Sequence, residues 1–206
     1  MSGGIHMEKI LYLMRHGQTL FNVEHKIQGW CDSPLTPLGI AQAKVARQYF
    51  DEHHIIFDHC YASTSERACD TLEIVTHHKY PYTRLKGLKE WNFGKFEGMD
   101  EFLNPPRPYD DFFVKYGGEN QEQLQQRLVS TLTKIMEQDD HYSVLAVSHG
   151  AACANFIRYF NDYNQKQYKP GIKNCTIFKM RYEDGRFSCI DIIEPDFSKL
   201  EDMIDK

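Results

Sequence analysis

Two histidines and two arginines stand where they can serve one chemistry. Arg15-His16-Gly17 follows directly on the apolar run Lys9–Met14, and Ser148-His149-Gly150 ends a second β-prone run, Ser143–Ser148. Short apolar runs that stop abruptly at polar residues read as buried strands ending in loops. Both histidines therefore sit just past the carboxyl ends of strands. Arg67 falls in the first turns of a helix that follows a third short strand, Asp58–Ala62. A guanidinium offers a planar fork of donors, and an imidazolium adds a charged one. Gathered at the mouth of one sheet, Arg15, His16, Arg67 and His149 make a site for a compact dianion, and a phosphate group is its natural occupant.

The elements that must position these residues are legible in the spacing. Thr36-Pro37 reads as an N-cap with proline at the first helical position, and Leu38, Ala41, Val45 and Tyr49 follow at helical intervals. Ser63-Thr64-Ser65-Glu66 has the spacing of a capping box and predicts a helix through about His77. Asn120 with Gln123 caps another helix, whose Leu124, Leu128, Leu132 and Ile135 form one stripe. Ala151–Phe160 has a helical pattern, while Thr176–Tyr182 and Arg186–Ile193, flanking Glu183-Asp184-Gly185, read as a hairpin. Strands alternating with helices predict an α/β fold of three layers, αβα, with a mostly parallel central sheet and a ligand site beyond the carboxyl ends of its strands. With no internal repeat or clear linker, residues 7–206 read as a single domain. A segment at about 99–117, rich in proline and aromatics (Phe102, Pro105, Pro106, Pro108, Tyr109, Phe112, Phe113), reads as a small insertion covering the crevice.

Five blocks occur in order: Arg15-His16-Gly17-Gln18-Thr19 with Asn22; Gln28-Gly29-Trp30 through Leu38-Gly39; Ser63 with Arg67-Ala68; Glu90 before Gly94 and Glu97-Gly98; and Ser148-His149-Gly150. Together they resemble the histidine phosphatase superfamily in its phosphoglycerate-mutase-like branch, from about residue 9 to 195. The resemblance implies a phosphoglycerate-mutase-like fold and a phosphohistidine intermediate. By position His16 matches the family's nucleophile, with Arg15, Arg67 and His149 in its phosphate pocket, where fixed donors stabilise the transferring phosphoryl group. Asn22 also matches a phosphate contact, more weakly Gln28 and Gly29. Glu90 matches the general acid that protonates the leaving alkoxide and then takes a proton from water. Glu97 is expected to be structural. Gly118-Glu119-Asn120 resembles a family Gly-Glu-Ser motif, with asparagine as the capping residue instead of serine.

The superfamily implied by this likeness holds both mutases and phosphatases. Mutases of the branch carry a longer segment after the general acid, with paired arginines that hold the substrate carboxylate and shut out water. Here 28 positions separate Glu90 from Gly118, with Arg107 alone and no Arg-Arg pair between them. A shorter cover with fewer cations fits a wetter site and favours a phosphatase acting on small phosphomonoesters; a cofactor-dependent phosphoglycerate mutase and a non-catalytic phosphate-binding scaffold are the alternatives. Trp30, Trp91, Phe93, Phe102, Tyr109, Phe112 and Phe113 either line an aromatic wall for the organic part of a substrate or pack the insertion onto the domain.

Composition sets the remaining bounds. The chain has 206 residues, 41% hydrophobic and 26% charged, with 24 basic against 29 acidic side chains and a net charge of −5. A slightly acidic chain lacks the basic stripe that nucleic-acid binding requires. The longest apolar run, Ile10–Met14, is far short of a membrane span, and no secretory leader opens the chain, so a cytoplasmic protein working as a monomer or homodimer, without membrane or nucleic acid, is expected. Met1–His6 reads as an expression scar. The six cysteines, Cys31, Cys60, Cys69, Cys153, Cys175 and Cys189, show no paired spacing and read as small buried hydrophobes. No cofactor and no metal are expected: His53-His54 and His77-His78 cannot share a helix face, and neither HExxH nor a GxxxxGK[ST] loop is present.

Overall fold

The computed structural model describes residues 8–198 and 200; Met1–His6, expected to be a scar, lie outside them. Their strands are β1 (Lys9–Arg15), β2 (His59–Ser63), β3 (Thr83–Leu85), β4 (Ser143–Ser148), β5 (Ile177–Glu183) and β6 (Arg186–Ile193), in the sheet order β3-β2-β4-β1-β5-β6. β3, β2, β4 and β1 pair in parallel, and β5 and β6 continue the sheet antiparallel. The helices are α1 (Leu20–Val23), α2 (Pro37–Glu52), α3 (Glu66–Val75), α4 (Gln121–Met136) and α5 (Gly150–Tyr159).

Period-two alternation makes the central strands two-faced. Leu11 and Leu13 of β1 with Val144 and Ala146 of β4 pack under α4 and α5, against Leu124, Leu128, Leu132 and Phe156. Ile10, Tyr12 and Met14 with Leu145 and Val147 face the other way, onto Ala43, Ala46 and Phe50 of α2 and Leu72 and Val75 of α3. Near-continuous apolar strands are what a sheet covered on both sides demands. The predicted three-layer arrangement is the one observed.

Local signals set the element ends. Thr36 Oγ1 accepts the Gly39 N–H with Pro37 opening α2, and Asn120 and Gln123 form the reciprocal capping box of α4. Asp184 and Gly185 both take positive φ, 48° and 77°, as a two-residue hairpin turn between β5 and β6 requires. One expected cap is absent. The N-cap of α3 is Ser65 without a side-chain bond, and the helix ends at Val75 instead of His77. Ser63 is still the last residue of β2, so its hydroxyl cannot reach back over the first turn of α3. The Glu66 N–H is taken by the Asp32 carboxylate from a distant loop.

The 99–117 segment is anchored at its start and over its second half. Lys26 bridges to Asp100, Phe113 is fully buried, and Tyr109, Phe112 and Phe113 meet Trp91, Phe93 and Phe96 edge to face. Of the aromatics considered as a substrate wall, Trp91, Phe93 and Phe113 belong to the core, whereas Phe102 and Trp30 reach solvent. The cysteines are buried except Cys31, which is half-buried.

Candidate active site

The carboxyl ends of β1, β2 and β4 lie side by side, because Arg15 is level with Ser148 and Ala62 with Val147 in the parallel registers. Residues just past these ends therefore converge. The His16 and His149 rings stand 5.2 Å apart, centroid to centroid, at 65°. His16 is held by its backbone neighbour: Nδ1 lies 2.7 Å from the Gly17 carbonyl, which can only accept, so Nδ1 carries the proton. The lone pair is left on Nε2, which accepts the Arg67 Nε–H at 3.3 Å. The loop that makes this bond is tight: a Cβ on Gly17 would sit 2.5 Å from the Gly39 carbonyl oxygen, so glycine is what lets α2 begin against it.

Arg67 is fully buried and nearly saturated. Nη1 donates to the Cys31 carbonyl at 2.9 Å and to Asp32 Oδ1 at 2.8 Å, and Nη2 donates to the Gly29 carbonyl at 2.8 Å. Those partners are held in turn by Glu97, whose carboxylate accepts the N–H groups of Gly29, Trp30, Cys31 and Phe93. Glu97 is thus structural, as expected. Gly29 acts through its backbone as an anchor for Arg67, and a Cβ there would strike the Trp91 carbonyl oxygen at 2.1 Å. Gln28 spends both ends of its carboxamide as a brace between Thr19 and Ser33. The Asn22 carboxamide oxygen caps α1 through the Thr19 N–H, which directs its NH2 end elsewhere.

Arg15 donates through Nη1 to the Ile172 carbonyl, while its Nε is buried without a partner. His149 is similar, with Nε2 2.8 Å from Ser63 Oγ and Nδ1 buried and unpartnered. Among the described residues four buried side-chain polar atoms lack a partner, and two of them are these site nitrogens. Buried polar nitrogens are almost always satisfied, so two orphans on residues that flank the carboxyl ends of β1 and β4 mark a place for a ligand.

Glu90 reaches the same end of the sheet in an unforeseen pose. Its Oε1 accepts the N–H groups of Trp91 and Ala152 at 2.8 and 2.7 Å, and its Oε2 accepts that of Ala151 at 2.8 Å, docking the carboxylate on the N-terminus of α5. Burial pushes its pKa up from the ordinary value, opposed by these N–H groups and by Arg67. Its backbone is clamped as well: the Glu90 carbonyl accepts from Trp30 Nε1 and Arg127 Nη2, and Arg127 is fixed by Glu119 of the Gly-Glu-Asn motif.

Three contributors escaped the sequence reading. Thr71 Oγ1 accepts the Gly17 N–H and donates to the Arg67 carbonyl, and its place one turn after Arg67 was a usable signal. Asn174 donates to the His16 carbonyl from the loop before β5, and nothing in its spacing pointed there. Asp32, present only within a motif, ties its loop to the first turn of α3, taking the Glu66 N–H and the Arg67 guanidinium on its two oxygens. At the opposite end of the sheet His59 and His141 share the Asp140 carboxylate, but their rings stack 3.7 Å apart and 6° from parallel. A bound metal lies in the plane of each imidazole ligand, and two parallel planes share no such point.

Burial, then Arg67, holds both His16 and His149 well below the usual imidazole pKa, with Arg15 adding to the effect on His16. The unfolded chain takes up these two protons as pH falls below about 6.5, and the native state refuses them until much lower pH. Stability present above pH 6.5 is therefore lost on acidification. Each such histidine contributes a slope of about 1.4 kcal/mol per pH unit. We expect His16→Ala to flatten the pH dependence of the unfolding free energy by about that amount below pH 6, measured by denaturant titration; parallel slopes for the two proteins would contradict a neutral His16.

A buried histidine with a bare Nε2, set among the guanidinium groups of Arg15 and Arg67 and the His149 imidazole at the carboxyl ends of a mostly parallel sheet, defines the class. The chain belongs to the histidine phosphatase superfamily (branch 1), whose family model matches residues 11–194. It is 33% identical over 176 residues to a protein named uncharacterized phosphatase PhoE from Bacillus subtilis (strain 168), covering 85% of this chain and 89% of that one. It is 31% identical over 137 residues to the 2,3-bisphosphoglycerate-dependent phosphoglycerate mutase 1 of Lactobacillus johnsonii, covering 65% of this chain and 56% of the mutase. Among solved structures, a phosphoglycerate mutase from Bacillus anthracis str. Sterne superposes with a TM-score of 0.79 at 26% identity, covering 95% and 96% of the two chains. A phosphoserine phosphatase from Entamoeba histolytica, in complex with 3-phosphoglyceric acid, does so at 0.72 and 26% identity, covering 90% and 97%.

Proposed function

We propose that this protein is a metal-independent phosphomonoester hydrolase that works through a phosphohistidine on His16. The observation that carries the reading is the tautomer of His16: Gly17 holds the proton on Nδ1 and leaves Nε2 bare beside Arg67. Nε2 attacks phosphorus in line with the ester oxygen. Arg67 Nε–H, released from His16 as the P–N bond forms, then donates to the phosphoryl group together with Arg15 Nε–H, His149 and the Asn22 carboxamide, stabilising charge on the equatorial oxygens. Glu90 delivers a proton to the departing alkoxide and recovers one from the water that cleaves the phosphohistidine. The proton belongs on Oε2, which holds one backbone bond against two on Oε1.

Hydrolysis is favoured over transfer by the composition of the cover. Its single arginine, Arg107, lies over the Tyr109 ring. Chain length does not separate the two activities, since a structure named as a mutase is matched over 96% of its length. The test is phosphate release in excess EDTA from a panel including p-nitrophenyl phosphate and 3-phosphoglycerate. Release that survives the chelator supports the assignment; isomerisation of phosphoglycerate without release would make the protein a mutase. Glu90→Gln is expected to slow alkyl phosphates by about 10²–10³-fold and p-nitrophenyl phosphate by less than about tenfold, because only the alkoxide needs the proton. Equal slowing of both would remove Glu90 from the role of acid.

A further inference from the structure

What His149 offers to a phosphoryl group depends on its tautomer. Its ring has one nitrogen, Nε2, against Ser63 and the other, Nδ1, buried without a partner. A neutral imidazole carries its proton on only one of them. On Nδ1 it makes His149 a donor toward an anion; on Nε2 it leaves a lone pair facing negative charge.

The surroundings of Ser63 decide between these. Ser63 is fully buried at the end of β2, and because β2 and β4 run parallel in register, its side chain falls opposite the start of the loop that carries His149. Its oxygen already accepts the Ser65 N–H at 3.3 Å. The single hydroxyl proton then has two acceptors in reach, His149 Nε2 at 2.8 Å and Ser65 Oγ at 3.4 Å. The nearer is the imidazole, at the usual length for a good hydrogen bond. Donation to it occupies the Nε2 lone pair and sends the ring proton to Nδ1.

We propose that Ser63 is a positioning residue that fixes His149 as the Nδ1–H tautomer, so that the ligand-free enzyme offers the phosphoryl oxygens a neutral N–H donor instead of an imidazolium. The two site histidines are then held in the same tautomer by different means, His16 by the Gly17 carbonyl that accepts from Nδ1 and His149 by a hydroxyl that donates to Nε2. The opposite ends of the two rings do the chemistry. The burial and the Arg67 charge that disfavour a second cation at His149 agree with this arrangement.

The inference rests on the reading of His149 as a phosphoryl donor, but its first test does not. Long-range 1H–15N correlation spectra of the wild-type protein report each imidazole tautomer directly, without turnover. The expected pattern for His149 at pH 7 is a protonated Nδ1 and a bare Nε2; a protonated Nε2, or an imidazolium, overturns the proposal even if the protein is a phosphatase. Ser63→Ala should mix the tautomers and lower kcat/KM by about 10–100-fold, less than the loss expected for deleting the donor outright. Ser63→Thr, which keeps the hydroxyl, should restore both the spectrum and most of the rate. An alanine variant with the wild-type tautomer, or a threonine variant no better than alanine, would show that Ser63 does not set the ring. Should Ser63→Ala fail to fold, the wild-type spectrum still decides.

Discussion

His16→Ala should eliminate turnover, by about 10⁴-fold or more as for loss of a covalent nucleophile, and with it all acid-labile covalent phosphate after rapid quench. In a buried site with depressed pKa, His16 stays neutral through and below pH 6.5, so Nε2 is nucleophilic without a separate base. No other described side chain combines a bare nitrogen, a fixed tautomer and a guanidinium N–H aimed at it. His149 stands closest, but its two nitrogens face Ser63 and the pocket in a different orientation, and its ring is turned 65° from that of His16. The same variant should keep its fold, since the His16 side chain is held by one bond to its own neighbour and one to Arg67. Retained phosphate release by a folded His16→Ala protein, at more than about 1% of wild type, would exclude the phosphohistidine.

What the sequence made legible was local. Thr36-Pro37, the Asn120–Gln123 box and the Asp184-Gly185 turn are complete within a few residues, the α4 stripe within a single helix, and each forms as read. The strand ends were legible for a related reason: an apolar run stops where the sheet stops, so His16 and His149 could be placed at one edge from hydropathy alone. The Ser63–Glu66 box failed because the strand keeps Ser63 and the helix is capped two residues later, at Ser65, where Asp32, far away in the chain, takes the Glu66 N–H. Gln28 and Gly29 matched a phosphate-binding pattern, yet their polar groups are engaged in bracing the loop and Arg67. Motif position locates a residue near the site; only the partners it finds in three dimensions decide whether it faces the ligand or the scaffold. Glu90 illustrates the second point, since its carboxylate is found on the α5 N-terminus, next in the chain to His149.

Arg67 is where scaffold and chemistry coincide, and replacing it should damage both in separable amounts. Arg67→Ala is expected to lower kcat/KM by about 10²–10³-fold through loss of a phosphoryl donor. It should also destabilise the fold by about 3 kcal/mol, the low end for breaking a buried ion pair. The low end applies because Asp32, 30% exposed, can rehydrate, whereas the Gly29 and Cys31 carbonyls lose their donor in the interior. Arg67→Lys separates the two effects. A single ammonium keeps the charge but cannot reach His16, Asp32 and two carbonyls at once, because it lacks the planar fork. It should recover part of the stability, read as a rise in denaturant midpoint at unchanged m, and little of the rate. The alanine variant carries a further signature: with the Arg67 charge gone, the His16 pKa rises toward its ordinary value, so the acid limb of the rate profile moves to higher pH. A lysine variant with near wild-type kcat/KM would mean that a point charge suffices and that the fork serves only the loop. A shifted acid limb in alanine together with an inactive, stable lysine variant would place the directed N–H donors of Arg67, rather than its charge, at the centre of the chemistry.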